Sequence, residues 1–416
     1  MSKTQIIYLL YLISFLSVSA FSQKKPNILF ILTDDQSQRD VGAYGNSLLS
    51  TPHMDRIINE GMKFENAFTS TAMCVPSRSS LLTGLHPMRH GAHPNHAKIT
   101  PGTRSVAHYL AEAGYKVGLI GKTHIKPIDS FGFHYVNRLR DYAWDSKLTR
   151  QEMKKAMDTL SLDGNPFALF ICIANPHVPW PGEWRGDPND ITLPSYLYDN
   201  DSTRLAVSRY YAHVEFADTK VGEAISVAEE LGFYEDMVVF FSSDHGAEVI
   251  HGKYTLYDAG INVPLAVKWA GKVKPGSISA ALVQFVDVTP TLIELVGGRP
   301  IDSLDGQSFL NIMTAEGTDT YDYIYATSSK DGKKTDYPIK AIRSKRYKYI
   351  LNPMYYKTFT SWITDASLGD KWPGYGRHYA YWLSWISASI SDPHAAQLVK
   401  NYIHRPMEEF YDLAND

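Results

Sequence analysis

Cysteine is scarce: Cys74 and Cys172 are the only two in 416 residues. That number cannot build a disulfide framework. No strong charge of either sign is present, since 41 basic and 44 acidic side chains leave a net −3. Without a basic field, bulk binding to nucleic acid or to anionic membranes is excluded, and an anionic ligand must be met by locally placed cations. Internal repeats and low-complexity tracts are absent. Beyond the first twenty residues, no apolar run is long enough to cross a bilayer. Those first residues carry Lys3, an apolar stretch from Ile6 to Val18, and small residues at Ser19, Ala20 and Ser22. This pattern predicts a cleaved export signal over residues 1–22, and hence a secreted or periplasmic protein with no stable membrane insertion.

Four apolar runs stand out from an otherwise ordinary composition. Asn27–Thr33 leads into Asp34-Asp35, and Lys116–Gly121 into Lys122-Thr123-His124. Phe167–Ala174 leads into Asn175-Pro176-His177, and Met237–Ser243 into Asp244-His245-Gly246. Unbroken runs of this length suit strands buried on both faces of a largely parallel sheet. Between them, Ser105–Ala113 and Arg204–Leu231 repeat apolar residues at helical spacing and stop at Gly114 and Gly232. Asp287–Val296 reads as a further capped helix, with Pro290 in its first turn. The expected fold is an α/β sandwich with a largely parallel central sheet. Ligands bind at the carboxyl ends of such strands, where all four polar clusters fall.

After about Asp305 the pattern changes. Tyr323–Thr327, Lys340–Arg343, Tyr347–Leu351 and Glu409–Leu413 read as short strands of a smaller C-terminal subdomain with an antiparallel sheet. The division expected is a catalytic domain over residues 23–310 and a subdomain over 311–416. The 27 tyrosines and 8 tryptophans suit stacking on sugar rings as well as core filling. Cys172, inside an apolar run, reads as a buried small hydrophobe. Cys74 lies in a polar, serine-rich segment just before a helix, with Pro76 in the first turn and Gly84 at the end. Free N–H groups there, and Arg78 one turn on, predict a lowered thiol pKa. Cys74 is then a nucleophile candidate or a redox-labile thiol.

The run Cys74-Val75-Pro76-Ser77-Arg78, followed by Ser79-Ser80-Leu81-Leu82-Thr83-Gly84, resembles the signature of the type I sulfatases. The likeness extends to Lys25–Gln36, Gly121–His124, Pro176–Pro179, Ser243–Gly246 and Gly252-Lys253. It implies an alkaline phosphatase-like sandwich and a Cys74 oxidised to formylglycine by a maturation enzyme, the hydrate then attacking sulfur. It further implies one Ca²⁺ held by Asp34, Asp35, Asp244, His245 and the modified Cys74. Clustered carboxylates need such a hard cation. The family often has Asn where His245 stands. By the same resemblance Lys122 and Lys253 bind sulfate oxygens, and Arg78 holds the formylglycine hydrate. His124 serves the hydrate and His177 protonates the leaving group, two roles that are readily exchanged.

Two more histidines, His93 and His96, follow the nucleophile helix in a loop and are candidates to line the pocket, though solvated loop histidines are commoner. The chain departs from the family at Asp258 and Asn262, where Glu and Arg are usual, so this pair must be braced differently. Gly121–His124 with Pro127, and the aromatic segment Arg377–Trp382, are similar to the branch acting on N-sulfated glucosamine. The end after Asp416 is similar to the family's closing strand without its usual tail. The substrate implied is a sulfated carbohydrate, with sulfated algal polysaccharides and glycosaminoglycans fitting equally. Two alternatives stay open: a phosphodiesterase or phosphonate monoester hydrolase with the same nucleophile, and a non-catalytic carbohydrate-binding homologue. The second should have lost one of Cys74, Arg78, Lys122 or Asp244, and none is lost.

Overall fold

The computed structural model describes residues 25–139, 148–180, 183–299, 301–314, 321–331, 335–365 and 379–415. The expected export signal, and Arg377 and His378 of the aromatic segment, lie outside these residues. Eight strands form one sheet: β1 Ile28–Thr33, β2 Met62–Phe68, β3 Lys116–Lys122, β4 Tyr135–Leu139, β5 Phe167–Cys172, β6 Val238–Ser243, β7 Leu265–Lys268 and β8 Ser277–Gln284. Their spatial order is β4-β3-β5-β1-β6-β7-β2-β8. The four apolar runs therefore become the neighbouring strands β3, β5, β1 and β6. All are parallel, with Phe30 registered against Phe170 and Phe240. Only β7 runs against its neighbours.

Eight helices of seven residues or more occur among the described residues. They are α1 Pro52–Asn59, α2 Cys74–Thr83, α3 Val106–Glu112, α4 Arg150–Ser161, α5 Asp201–Glu230, α6 Val288–Leu295, α7 Ala380–Ala388 and α8 Pro393–Ile403. Strand side chains alternate between faces, and the two faces make two cores. Phe30, Leu32, Leu119, Phe170 and Phe240 pack against Leu81, Leu110 and Leu292 of α2, α3 and α6. Leu29, Ile31, Ile171, Val239 and Phe241 pack against Ile57, Met157 and Val221 of α1, α4 and α5. Burial on both faces is why these strands have no polar alternation. Side-chain caps start several helices: Asn200 Oδ1 accepts from Thr203 N at 2.9 Å, and Ser105 Oγ from Ala107 N at 3.2 Å.

The second sheet comprises β9 Ile324–Asp331, β10 Thr335–Arg343, β11 Tyr347–Leu351 and β12 Glu408–Asp412, antiparallel throughout in the order β12-β11-β10-β9. Strands β9 and β10 are longer than their sequence patterns suggested. Their distal halves are polar and held by pairing, with a register shift between Asp336 and Ile339, rather than by apolar alternation. This sheet has no core of its own. Ile339, Ile350, Trp382, Trp385 and Tyr402 share one cluster with Tyr254, Leu256 and Ile261 of the first domain. Helices α7 and α8 occupy a region whose aromatic richness hid their periodicity. None of the described helices is long and apolar enough to cross a membrane.

Candidate active site

The carboxyl ends of β1, β3, β5 and β6 meet the start of α2. Backbone bonds fix the loops to one another: Asp34 N donates to Asn175 O at 3.2 Å and Asp244 N to Thr33 O at 3.1 Å. Asp35 has a φ of 65°, and His96, His124, His251 and Tyr254 are also left-handed. Such strain in non-glycine residues gathers at functional sites.

Cys74 is the first residue of α2, with Met73 as its N-cap. Its Sγ lies 3.3 Å from His245 Nε2, 3.7 Å from Asp34 Oδ1 and 3.9 Å from Lys122 Nζ. Donor atoms of Asp34, Asp35, Cys74 and His245 all fall within 4.8 Å of one another. Asp244 stands beside this group. Its Oδ2 accepts from Arg78 Nε at 2.9 Å and its Oδ1 from Asp35 N at 3.1 Å. Buried Arg78 also donates to Lys122 O at 3.0 Å and lies 3.6 Å from Asp34 Oδ1. Lys122 pairs with Asp34. Lys253 is shared between Asp35 Oδ2 at 2.8 Å and Glu248 Oε2 at 2.7 Å. His177 Nδ1 faces Val178 O at 2.6 Å, which turns Nε2 towards Asp35 and Glu248, 3.8 and 3.9 Å away. His124 Nε2 contacts His96 Nδ1 at 3.0 Å.

The expectation of a lowered Cys74 pKa is corrected. Burial, with Asp34 and Asp244 nearby, raises it well above the ordinary thiol range, and Lys122 and Lys253 offset only part of this. The helix start alone does not activate a thiol that is sealed from water beside carboxylates. Burial likewise pushes the Asp35 carboxyl up, reinforced by Asp34 and Glu248 against Lys253. Asp34 is held low because Lys122 and Arg78 outweigh its burial. Asp35 Oδ1 is buried without a hydrogen bond, 3.3 Å from His245 Nε2. A hard cation would satisfy that oxygen, the carboxylates of Asp34 and Asp35 being the oxygen donors such an ion takes, with His245 and residue 74 as further candidate ligands. Cys172 is buried as expected, and both cysteines are free.

Every sequence-selected site residue is thus within this one neighbourhood, and His96 joins it through His124. His93 instead contacts Ser329 Oγ at 3.1 Å, on β9. Asp258 is braced by the second sheet, by Lys348 Nζ at 2.6 Å and Arg343 Nε at 3.1 Å, while Asn262 Nδ2 donates to Ala67 O at 3.2 Å. Sequence reasoning missed Glu248 and its partners, Tyr379 Oη at 2.6 Å and Tyr254 Oη at 3.1 Å. Glu248 sits in a loop without periodicity, and Tyr379 is 131 residues away. The one available signal was a carboxylate five residues before Lys253.

The family model for sulfatases matches residues 26–298, and that for the C-terminal part of N-sulphoglucosamine sulphohydrolase matches residues 246–366. An ulvan-active sulfatase from Formosa agariphila is 31% identical, over 97% of this chain and 76% of its own. Human N-sulphoglucosamine sulphohydrolase is 26% identical, over 92% of this chain and 87% of its own. A protein solved with D-glucosamine-2-N,6-O-disulfate has the same fold, with a TM-score of 0.65 at 19% identity, over 91% of this chain and 97% of that one. With the Cys74 segment, the acidic group and both lysines on one sheet edge, and the family match spanning that whole edge, the chain belongs to the sulfatase family, a family of sulfuric ester hydrolases.

Proposed function

We propose that the protein removes sulfate from a sulfated saccharide, as an O-sulfate ester or an N-sulfo group. Residue 74, oxidised to formylglycine, is the nucleophile. One Ca²⁺ is held by Asp34, Asp35, Asp244, His245 and residue 74. The observation that carries this reading is the convergence of the Asp34, Asp35, Cys74 and His245 donors within 4.8 Å, flanked by Lys122 and Lys253. The relatives named for ulvan and for N-sulphoglucosamine support a carbohydrate substrate.

When bound, the ion supplies Lewis acidity and the oxidised residue a hydrated-aldehyde nucleophile. The chain does the rest. Around the centre, Asp34, Asp35, Asp244 and Glu248 are paired with the fixed cations Lys122, Lys253 and Arg78, beside the imidazoles of His177 and His245, which burial keeps neutral. Four carboxylates against three cations leave one negative charge. With a divalent cation the cluster carries one positive charge, opposite to the single negative charge of a sulfate monoester. Lys122 and Lys253 are buried and hydrogen-bonded in place, so they can stabilise sulfuryl oxygens with little reorganisation. Arg78 holds Asp244 and the carbonyl end of β3 in register. His177, with its Nδ1–H given to Val178 O, presents Nε2 to the leaving oxygen or nitrogen and donates from it when the ring is protonated. His124 serves as base on the residue-74 side.

The test is a screen of matured protein on ulvan oligosaccharides, N-sulfoglucosamine and 6-O-sulfated hexosamines, with mass spectrometry of the Cys74 peptide. Sulfate release with Cys74 oxidised supports the proposal. Faster turnover of an aryl phosphodiester than of the matching aryl sulfate would refute it.

A further inference from the structure

Glu248 is a carboxylate that the reaction as described does not use, yet it lies at its centre. It is almost fully buried and makes three hydrogen bonds: from Lys253 Nζ at 2.7 Å, Tyr379 Oη at 2.6 Å and Tyr254 Oη at 3.1 Å. The loop that carries it is clamped from the C-terminal region twice, because Ile250 N also donates to Tyr381 Oη at 3.1 Å. Gly246, at the start of that loop, has no room for a side chain; an added Cβ would lie 1.8 Å from Ala259 O. The loop is therefore a rigid mount.

An ammonium has three N–H donors. Two of those on Lys253 go to two different carboxylates, Asp35 and Glu248, at nearly equal distances of 2.8 and 2.7 Å. Without a counterweight, Lys253 would be drawn wholly to Asp35. It would then neutralise a metal-ligand carboxylate and turn its remaining donors away from the substrate.

We propose that Glu248, hung from Tyr379 and Tyr254, is a positioning residue that divides Lys253 between itself and Asp35 Oδ2, leaving Asp35 Oδ1 open to the divalent cation and the third Lys253 N–H open to a sulfate oxygen. The inference rests on the reading of Lys253 as a sulfate-binding residue. It makes the start of α7 part of the active site, because Tyr379 acts through Glu248.

The test uses full-length, matured protein. Calcium is titrated calorimetrically, and kcat and KM are measured on an aryl sulfate. Glu248→Gln should weaken calcium binding about 10-fold and lower kcat about 10- to 100-fold, the range for partners that orient metal-site residues. KM should change less than about 3-fold on the same grounds, because the loss falls on an interaction that strengthens in the transition state. Tyr379→Phe keeps both charges and removes one donor, so it should move calcium affinity and kcat in the same direction by a smaller factor. It also carries the test alone if Glu248→Gln does not fold. Wild-type calcium affinity and kcat in Glu248→Gln, or in Tyr379→Phe where only that variant folds, overturn the proposal. If Lys253→Ala abolishes turnover while Glu248→Gln keeps wild-type kcat and calcium affinity, only the positioning role falls. If Lys253→Ala itself keeps wild-type kcat, the sulfate-binding reading of Lys253 falls instead.

Discussion

Calcium should stabilise this protein measurably, and Asp35→Asn should erase most of that effect. Asp35 Oδ1 is buried and lacks a hydrogen bond while Oδ2 pairs with Lys253, so one carboxylate oxygen is left to take a cation. Calcium at 100 times its Kd stabilises the native state by about 2.7 kcal/mol, provided the unfolded chain does not bind it. Unfolding entropy near 2.1 cal/mol/K per residue, summed over a chain of this length, is roughly 0.9 kcal/mol/K. The melting temperature should therefore rise by about 3 °C, and by nearer 5 °C at 1,000 times Kd. Scanning calorimetry of chelator-treated protein, with and without added calcium, measures the shift without any need for turnover. Asparagine keeps the shape and loses the charge, so the melting temperature of Asp35→Asn should shift by under 1 °C on adding calcium, roughly a third of the wild-type response. A wild-type protein indifferent to calcium, or an Asp35→Asn variant with the full shift, would refute the argument from charge.

Other consequences can be checked independently. Cys74→Ala should abolish sulfate release while leaving the circular dichroism spectrum and melting temperature near wild type, because only a small buried group is lost. Asp258→Ala leaves buried Lys348 and Arg343 without their carboxylate; urea unfolding should show a loss of about 2–4 kcal/mol, the scale for breaking such a pair with some solvent access. The Asp258 carboxyl is pulled down to about 2, Lys348 and Arg343 prevailing over its burial. A depressed folded-state pKa contributes stability above the unfolded value of 3.8 that is lost as pH falls towards 2. The wild-type advantage over Asp258→Asn should thus shrink across that acid window in pH-dependent urea unfolding. Gly121→Ala should disrupt the end of β3 that carries Lys122. Gly121 has φ +86°, and a Cβ there would lie 2.1 Å from Cys172 O; expression of folded protein or kcat should collapse, as activity assays would show.

The chain by itself determined the central sheet and the chemistry at its edge. Unbroken apolar runs can be buried only on both faces, and each run ends where its first polar residues emerge, so Asp34, Lys122, His177 and Asp244 were placed at one rim by local pattern alone. The segment around Cys74 marked the proposed nucleophile through its resemblance to the sulfatase signature, in consecutive residues at the start of one helix. What tertiary structure decided was charge balance. Whether Cys74 is acidified depends on burial and on carboxylates from other strands, and here burial prevails. The Glu248–Tyr379 contact and the Asp258 brace were invisible because each pairs groups 85 or more residues apart. No spacing along a chain encodes such contacts. They exist because the second sheet and α7 share a core with the first domain, and that packing brings distant side chains within hydrogen-bonding reach.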